Sequence, residues 1–273
     1  MKTQLDIDFA RMAHLNWEQE LELMVKKASV PSKLESHKDC ELGTWLHVTG
    51  IKKYKGNQAI RQLIDVHKTF HSVADRVSND VNIYDQLSLR MDMKKIRGLS
   101  REIIFLLTTI ELSSLEMQRR GNILTAPIKK LLRNLFESST TTISDKNNIL
   151  EIGHARLVHL QWSRNMLTAF EDWGNKIKLE SAGKCSLGAW IDTIGLKRYE
   201  SIPEIKLLEE THKAFHAKAD DTIRALRKKN LKKSDLYYEQ MLDYSTEVIY
   251  LLSVLELRLI DSDDIAPSAK VFG

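Results

Sequence analysis

The segment CELGTW at residues 40–45 recurs as CSLGAW at residues 185–190, a displacement of 145 residues (185 minus 40). The same displacement relates HKTFH at residues 67–71 to HKAFH at residues 212–216. The cysteines that begin the first pair of segments are the only 2 cysteines among 273 residues. A repeat of this length with no insertion between its motifs predicts two tandem copies of one structural unit.

The repeat also contains two equivalent sets of side chains that commonly bind metal ions. Histidines four residues apart on a helix project to the same side, so one pair in each copy can chelate a single ion. Combined imidazole and thiolate ligation favours Zn²⁺ in a four-coordinate site that has no vacant position for a catalytic water. The sequence therefore predicts two zinc ions per chain. The predicted ligands are His14, Cys40, His67 and His71 in the first repeat, and His159, Cys185, His212 and His216 in the second.

The composition indicates an all-α protein. Only 4 prolines and 11 glycines are present and 42% of the residues are hydrophobic, which suits helices better than short strands joined by turns. In the first repeat we expect a first helix capped by Asp6 or Asp8, a short helix after Cys40, a third helix from about Asn57, and a fourth that begins near Ser100. Two tandem four-helix-bundle domains follow from the repeat.

The domain boundaries follow from the same periodicity. Residues 1–120 form the first predicted four-helix domain and residues 146–262 the second, with an amphipathic linker at residues 121–145 and a flexible tail at residues 263–273. The apolar side of the linker could dock between the repeats or present a surface to a partner. Docking is favoured, because most amphipathic helices bury their apolar side.

Several protein classes are disfavoured. No apolar run approaches the roughly 20 residues of a transmembrane helix, and the N-terminus lacks the apolar segment of a signal peptide, so we expect a cytoplasmic protein that does not bind a membrane. A net charge of +4, from 41 basic and 37 acidic residues, gives no reason to expect nucleic-acid binding. Two cysteines assigned to metal leave none for a disulfide.

The motifs resemble the chemoreceptor zinc-binding (CZB) domain of bacterial cytoplasmic sensors. The resemblance rests on H-x-x-W at residues 14–17, C-x-L-G-x-W at residues 40–45 and the HKTFH segment, and it covers almost the whole of each repeat. It implies four-helix bundles that bind zinc through three histidines and one cysteine and that usually form homodimers. Such domains regulate a chemoreceptor signalling module or a diguanylate cyclase in response to zinc or to oxidants such as hypochlorous acid.

The chain departs from this family by carrying two copies and no recognisable output domain. We therefore expect a zinc or oxidant sensor that signals to a separate chemoreceptor or diguanylate cyclase and has no enzymatic activity. A zinc-stabilised scaffold or interaction module is the alternative. A di-iron enzyme is disfavoured because Glu209 precedes His212 by three residues, whereas Ile64 holds that position before His67. The tandem copies suggest a monomer whose repeats pack as an intrachain pseudo-dimer, with a homodimer as the other possibility.

Overall fold

The computed structural model describes residues 2–27, 34–83, 86–121, 145–174 and 179–265. Within these ranges the chain forms helices and turns and contains no strand, which confirms the all-α prediction. The linker segment at residues 122–144 and the tail at residues 266–273 lie outside the described residues, so their predicted properties stay predictions. Over the described part of the chain, no helix has both the length and the apolarity needed to cross a bilayer.

Each repeat consists of three long helices and a short irregular helical segment. A π-helical turn follows the first short helix of each copy, at Leu46–Gly50 and at Ile191–Gly195. The helices of the first repeat are α1 (Lys2–Lys26), α2 (Glu41–Trp45), α3 (Ile51–Lys53), α4 (Gln58–Ile83) and α5 (Gln86–Gly121). Those of the second are α6 (Asp145–Asn165), α7 (Ser186–Trp190), α8 (Leu196–Arg198), α9 (Pro203–Arg227) and α10 (Leu231–Ile265). The four helical segments expected in each repeat are therefore present, one of them broken by the π turn.

Helix α4 shows why the first repeat folds around the histidines. Its buried positions recur at helical spacing and include Leu63, His67, Phe70 and Val77, which form one side of the helix. This side packs against α5, and α1 also packs on α5. Burial of a continuous apolar stripe against two helices brings the polar imidazoles into the core with their apolar neighbours.

The two repeats contact each other where α5 packs against α10 and α6. Helix α1 of the first repeat also packs against α10. A buried charged cluster lies at this contact. Arg11 donates to Glu111 at 2.6 Å, and the repeat-related Arg156 donates to Glu256 at 2.5 Å. Arg156 also lies 3.5 Å from Asp8 of the first repeat. Tandem bundles that pack on each other within one chain account for these contacts.

Two sequence-based boundaries differ from the structure. Helix α5 begins at Gln86 instead of near Ser100, because Met93 and Ile96 are buried and extend its apolar side toward the N-terminus. Gly98 lies at an exposed position inside this helix, where a glycine costs only about 1 kcal/mol. Asp6 or Asp8 was expected to cap α1, but both lie inside this helix, and the carboxylate of Asp8 accepts from Arg11 at 2.5 Å.

Candidate metal centre

Three of the four predicted ligands of the first repeat lie together in the structure. The Sγ of Cys40 and ring nitrogens of His67 and His71 are all within 4.8 Å of one another, and all three residues are buried. Sγ lies 3.4 Å from Nε2 of His67. Cys40 immediately precedes α2 and caps it, whereas both histidines belong to one side of α4. The i, i+4 spacing has therefore placed two imidazoles beside one thiol, as the sequence predicted.

His14 lies beside this group on α1 and lines the same cavity of about 260 Å³. Its ring centroid is 6.5 Å from that of His67, and its Nε2 lies 2.9 Å from Oγ of Ser100. The structure thus brings His14 to the wall of the site, outside the group of three donors that lie within 4.8 Å. Its role as the fourth ligand stays a prediction.

The second repeat reproduces this arrangement. Cys185, His212 and His216 offer ligand atoms within 4.8 Å of one another, and Sγ of Cys185 lies 3.3 Å from Nε2 of His212. His159 again lies outside the group of three, with its Nε2 3.2 Å from Oγ of Ser245. The two halves of the chain therefore contain the same kind of site at repeat-related positions.

Backbone groups orient the donors of the first site. Nδ1 of His71 lies 2.9 Å from the carbonyl oxygen of Glu35, so the ring N–H can donate there, which leaves the lone pair of Nε2 available to a metal. The backbone N–H of Gly43 donates to Sγ of Cys40 at 3.3 Å. A Cβ at Gly43 would lie 2.1 Å from the carbonyl oxygen of His37. The glycine of the C-x-L-G-x-W motif is therefore required for the close approach of the loop that presents the thiol.

Aromatic rings surround the imidazoles of both sites. The ring centroids of Trp17 and His71 are 4.7 Å apart, and those of the repeat-related Trp162 and His216 are 4.9 Å apart. Phe70 meets His14 edge-on at 4.8 Å. These contacts restrict rotation of the histidine rings and exclude water from their faces.

Burial decides the protonation of the donors. Loss of solvation lowers the pKa of His67 to about 2, of His14 to about 3 and of His71 to about 4. These imidazoles are neutral at pH 7, so each has a lone pair available for a metal. Burial also raises the pKa of the Cys40 thiol, and the N–H groups of Gly43 and Leu42 offset this only in part. The start of a helix favours a thiolate, but at Cys40 burial outweighs this effect.

The donor set fits zinc. Two neutral imidazoles and one cysteine within 4.8 Å match the nitrogen and sulfur ligands that Zn²⁺ prefers, and a divalent cation would favour the thiolate over the thiol. The remaining histidines, His37, His47 and His154, do not join either group in the part of the chain that the structure describes. This agrees with the absence of repeat-related histidines at their positions.

Sequence reasoning missed the polar side chains behind His14. Ser100 hydrogen-bonds both His14 and the buried carboxylate of Glu18, and that carboxylate also accepts from Tyr250 of the second repeat at 3.3 Å. Of these three residues, only Ser100 could have been identified from the sequence, because Ser245 stands at the repeat-related position. The other two residues differ between the repeats, so the repeat could not identify them.

Comparison with known families agrees with the geometry. Residues 14–78 match the family model of the chemoreceptor zinc-binding domain. This range includes the four predicted ligands of the first repeat. No curated protein and no solved structure gives a significant match to the chain. The second Cys/His/His group is consistent with a second domain of the same kind.

Proposed function

Since residues 14–78 match the family model of the chemoreceptor zinc-binding domain, we propose that this protein is a bacterial sensor that binds two zinc ions and signals to a separate partner. Zinc, or an oxidant such as hypochlorous acid, is its input. The four ligands of each site are the three histidines and one cysteine predicted from the repeat. The observation that carries the proposal is the recurrence of a buried Cys/His/His group at repeat-related positions.

The position of the cysteine supports a zinc site that changes the structure when it loses a ligand, rather than a permanent structural site. Cys40 precedes the five-residue helix α2, whereas His67 and His71 belong to the 26-residue helix α4. Bound zinc would supply the charge that keeps the sulfur as a thiolate. Loss of the sulfur ligand would release the short segment from the long helix. The π turn directly after α2 is a feature that recurs at functional sites in helical proteins.

The first site is also accessible to a small oxidant. Its cavity is lined by the exposed side chains of Asn16, Glu20 and Glu41 in addition to the donors. A thiolate attacks hypochlorous acid to form a sulfenic acid and chloride, so sulfur is oxidised, chlorine is reduced and the hydroxyl group moves to sulfur. The sulfenic acid is a poorer metal ligand than the thiolate, which couples oxidation to release of α2.

We propose no catalytic activity. Glu209 is the acidic residue that an E-x-x-H metal site would use, and its carboxylate pairs instead with Lys213 on the exposed side of α9. Four protein donors in each site would leave no position for a reacting water. The proposed output is a separate cytoplasmic chemoreceptor or diguanylate cyclase whose activity the sensor changes, without nucleic-acid or membrane binding. A zinc-stabilised scaffold without a sensing role is the alternative.

The test begins with metal analysis of the purified full chain, for which we expect two zinc ions per chain. Wild-type protein, Cys40→Ser and Cys185→Ser are then treated with hypochlorous acid while a colorimetric chelator records zinc release and hydrogen exchange records opening of α2 and α7. We expect release of both ions from the wild type. Each serine variant should lose the oxidant response of its own site and keep that of the other.

The control is addition of a strong chelator without oxidant, which should remove zinc from all three proteins and increase exchange in the same segments. Zinc that stays bound under oxidant, or leaves without any change in exchange, would support the scaffold. Oxidant-dependent release that is identical in the serine variants would contradict the thiolate as the sensing group.

A further inference from the structure

The two sites differ in the groups that support the histidine of the first helix. Ser100 and Ser245 are repeat-related and each contacts this histidine in its own repeat. Behind the serine, however, the first repeat has Glu18 where the second has Ser163. The residue that reaches Glu18 from the other repeat is Tyr250, and the repeat-related residue is Phe105, which has no hydroxyl. The two copies therefore have the same candidate ligands but differ in the residues that position the histidine of the first helix.

In the first repeat, ionisation of Glu18 fixes the direction of each hydrogen bond. At pH 8, above the pKa of about 7 to which burial raises this carboxyl, Glu18 is mostly ionised and can only accept, so the hydroxyl protons of Ser100 and Tyr250 both point at its Oε2. Ser100 has then used its only proton. Its oxygen must accept from Nε2 of His14, 2.9 Å away, which places the ring proton on Nε2. Nδ1 of His14 keeps the lone pair that a metal needs.

In the second repeat the direction is not determined. Oγ of Ser163 lies 3.0 Å from Oγ of Ser245, which lies 3.2 Å from Nε2 of His159. A hydroxyl both donates and accepts, so Ser245 can give its proton to Nε2 or take one from it. Among the described residues, no carboxylate takes part in these hydrogen bonds of Ser163 and Ser245. Both ring tautomers of His159 are therefore compatible with its surroundings.

From this difference we infer that Glu18 is a positioning residue that holds His14 in the tautomer with Nδ1 free, so that the first site binds zinc more tightly than the second. The inference rests on the proposed zinc binding at both sites. Carboxylate groups that orient a metal-binding histidine typically change metal affinity by about 10- to 100-fold when they are removed. Tyr250 makes this support depend on the second repeat.

The surroundings of Glu18 are unfavourable for a residue with a purely structural role. Its side chain is only 3% exposed and its Oε1 has no hydrogen-bond partner within the described part of the protein. Burial raises the pKa of this carboxyl to about 7. A neutral side chain at this position would suit the fold better. The buried carboxylate of Glu18 lowers the stability of the fold and is joined through Ser100 to the candidate ligand His14. This combination is typical of a functional group.

The experiment measures the two zinc affinities separately in the full chain. A His216→Ala background leaves only the first site, and a His71→Ala background leaves only the second. Zinc affinity is obtained at pH 8 by competition with a chelating dye. We expect the first site to be about tenfold tighter or more. Glu18→Gln should reduce the first-site affinity to about that of the second and leave the second unchanged. Tyr250→Phe should weaken the first site although it lies in the other repeat.

The matched gain-of-function variant transfers the support to the second repeat. Ser163→Glu combined with Phe105→Tyr should raise the zinc affinity of the second site. Nitrogen-15 NMR of the histidines gives an independent readout, since His14 should be protonated at Nε2 in the metal-free wild type and become a mixture of tautomers in Glu18→Gln. Thermal unfolding of the metal-free Glu18→Gln protein at pH 8 should be unchanged or shifted upward, because the variant no longer buries a charge.

The outcomes separate this inference from the proposed function. Two sites that bind zinc with equal affinity, or a first site that is insensitive to Glu18→Gln, would overturn the inference and leave the sensor proposal standing. Reduced affinity that comes with a lowered unfolding temperature and an unchanged His14 tautomer would show a structural role and would also overturn it. Absence of zinc binding in the wild type would overturn both.

Discussion

Arg156 of the second repeat lies 3.5 Å from Asp8 of the first repeat, although Asp8 has Gly153 as its repeat-related residue. The charged cluster between the repeats is therefore asymmetric, with a third carboxylate added to two Arg–Glu pairs. Burial alone lowers the pKa of the Arg11 guanidinium, but the neighbouring carboxylates outweigh burial and raise it overall. The repeats are not interchangeable at their contact.

Arg156→Met should destabilise the protein strongly. The Arg156 side chain is fully buried and donates to Glu256, so its removal leaves a buried carboxylate without its cation, at a cost of about 3–5 kcal/mol. Arg258→Met is the matched control because the Arg258 side chain, which pairs with Glu204, is 47% exposed, so the loss of this pair should cost about 0–1 kcal/mol. Urea unfolding of the metal-free proteins measures both. Equal losses in the two variants would contradict the importance of the cluster.

The chain should sediment as a monomer of 31.5 kDa. Its two repeats pack against each other along α5 and α10, as an intrachain pseudo-dimer requires. Sedimentation equilibrium over a range of concentrations, with and without zinc, measures the mass. A dimer held by contacts between the first repeat of one chain and the second repeat of another would contradict the intrachain pseudo-dimer.

The metal-free protein should lose stability as the pH falls below about 6.5. Burial lowers the pKa of His14 and His212 to about 3 and that of His71 to about 4, so the unfolded chain binds protons in a range where the folded chain does not. Each such histidine contributes up to about 1.4 kcal/mol per pH unit in that range. Stability from these groups is full above pH 6.5 and decreases toward pH 4.

Unfolding temperatures recorded in a chelator between pH 7.5 and 5 test this dependence. His71→Gln should flatten the profile because it removes a buried titrating group. His47→Gln is the control because it removes an exposed histidine from the same repeat. A stability that is constant from pH 7.5 to 5 would contradict neutral, buried imidazoles.

Gly43→Ala should abolish zinc binding at the first site while the second site keeps its ion. The added Cβ would lie 2.1 Å from the backbone oxygen of His37, so the loop that presents Cys40 must shift. Gly98→Ala is the control, because nothing lies within 4 Å of a Cβ there and an exposed helical alanine stabilises by up to about 1 kcal/mol. The zinc content of the two purified variants is the measurement that tests this prediction. Two ions bound to Gly43→Ala would refute the steric argument.

Particular residues show how far the sequence could predict this site. Two similar motifs repeated at one displacement were enough to predict helices, two repeats and the association of Cys40, His67 and His71. Histidines four residues apart on a helix project to the same side, so their spacing already predicts that they meet. Other features could not be read in this way. The early start of α5 and the place of Asp8 inside α1 depend on burial against other helices, which local sequence does not encode.

The sequence by itself determined the class of the fold, its duplication and the residues that meet at each candidate metal centre. These depend on periodicity and on scarce residue types, which are properties of short stretches. Only the tertiary structure decided that Glu18 reaches His14 through Ser100 and that Tyr250 reaches Glu18 from the other repeat. Such contacts join residues far apart in the chain, and they exist because helix packing excludes water and obliges each buried polar group to find a partner.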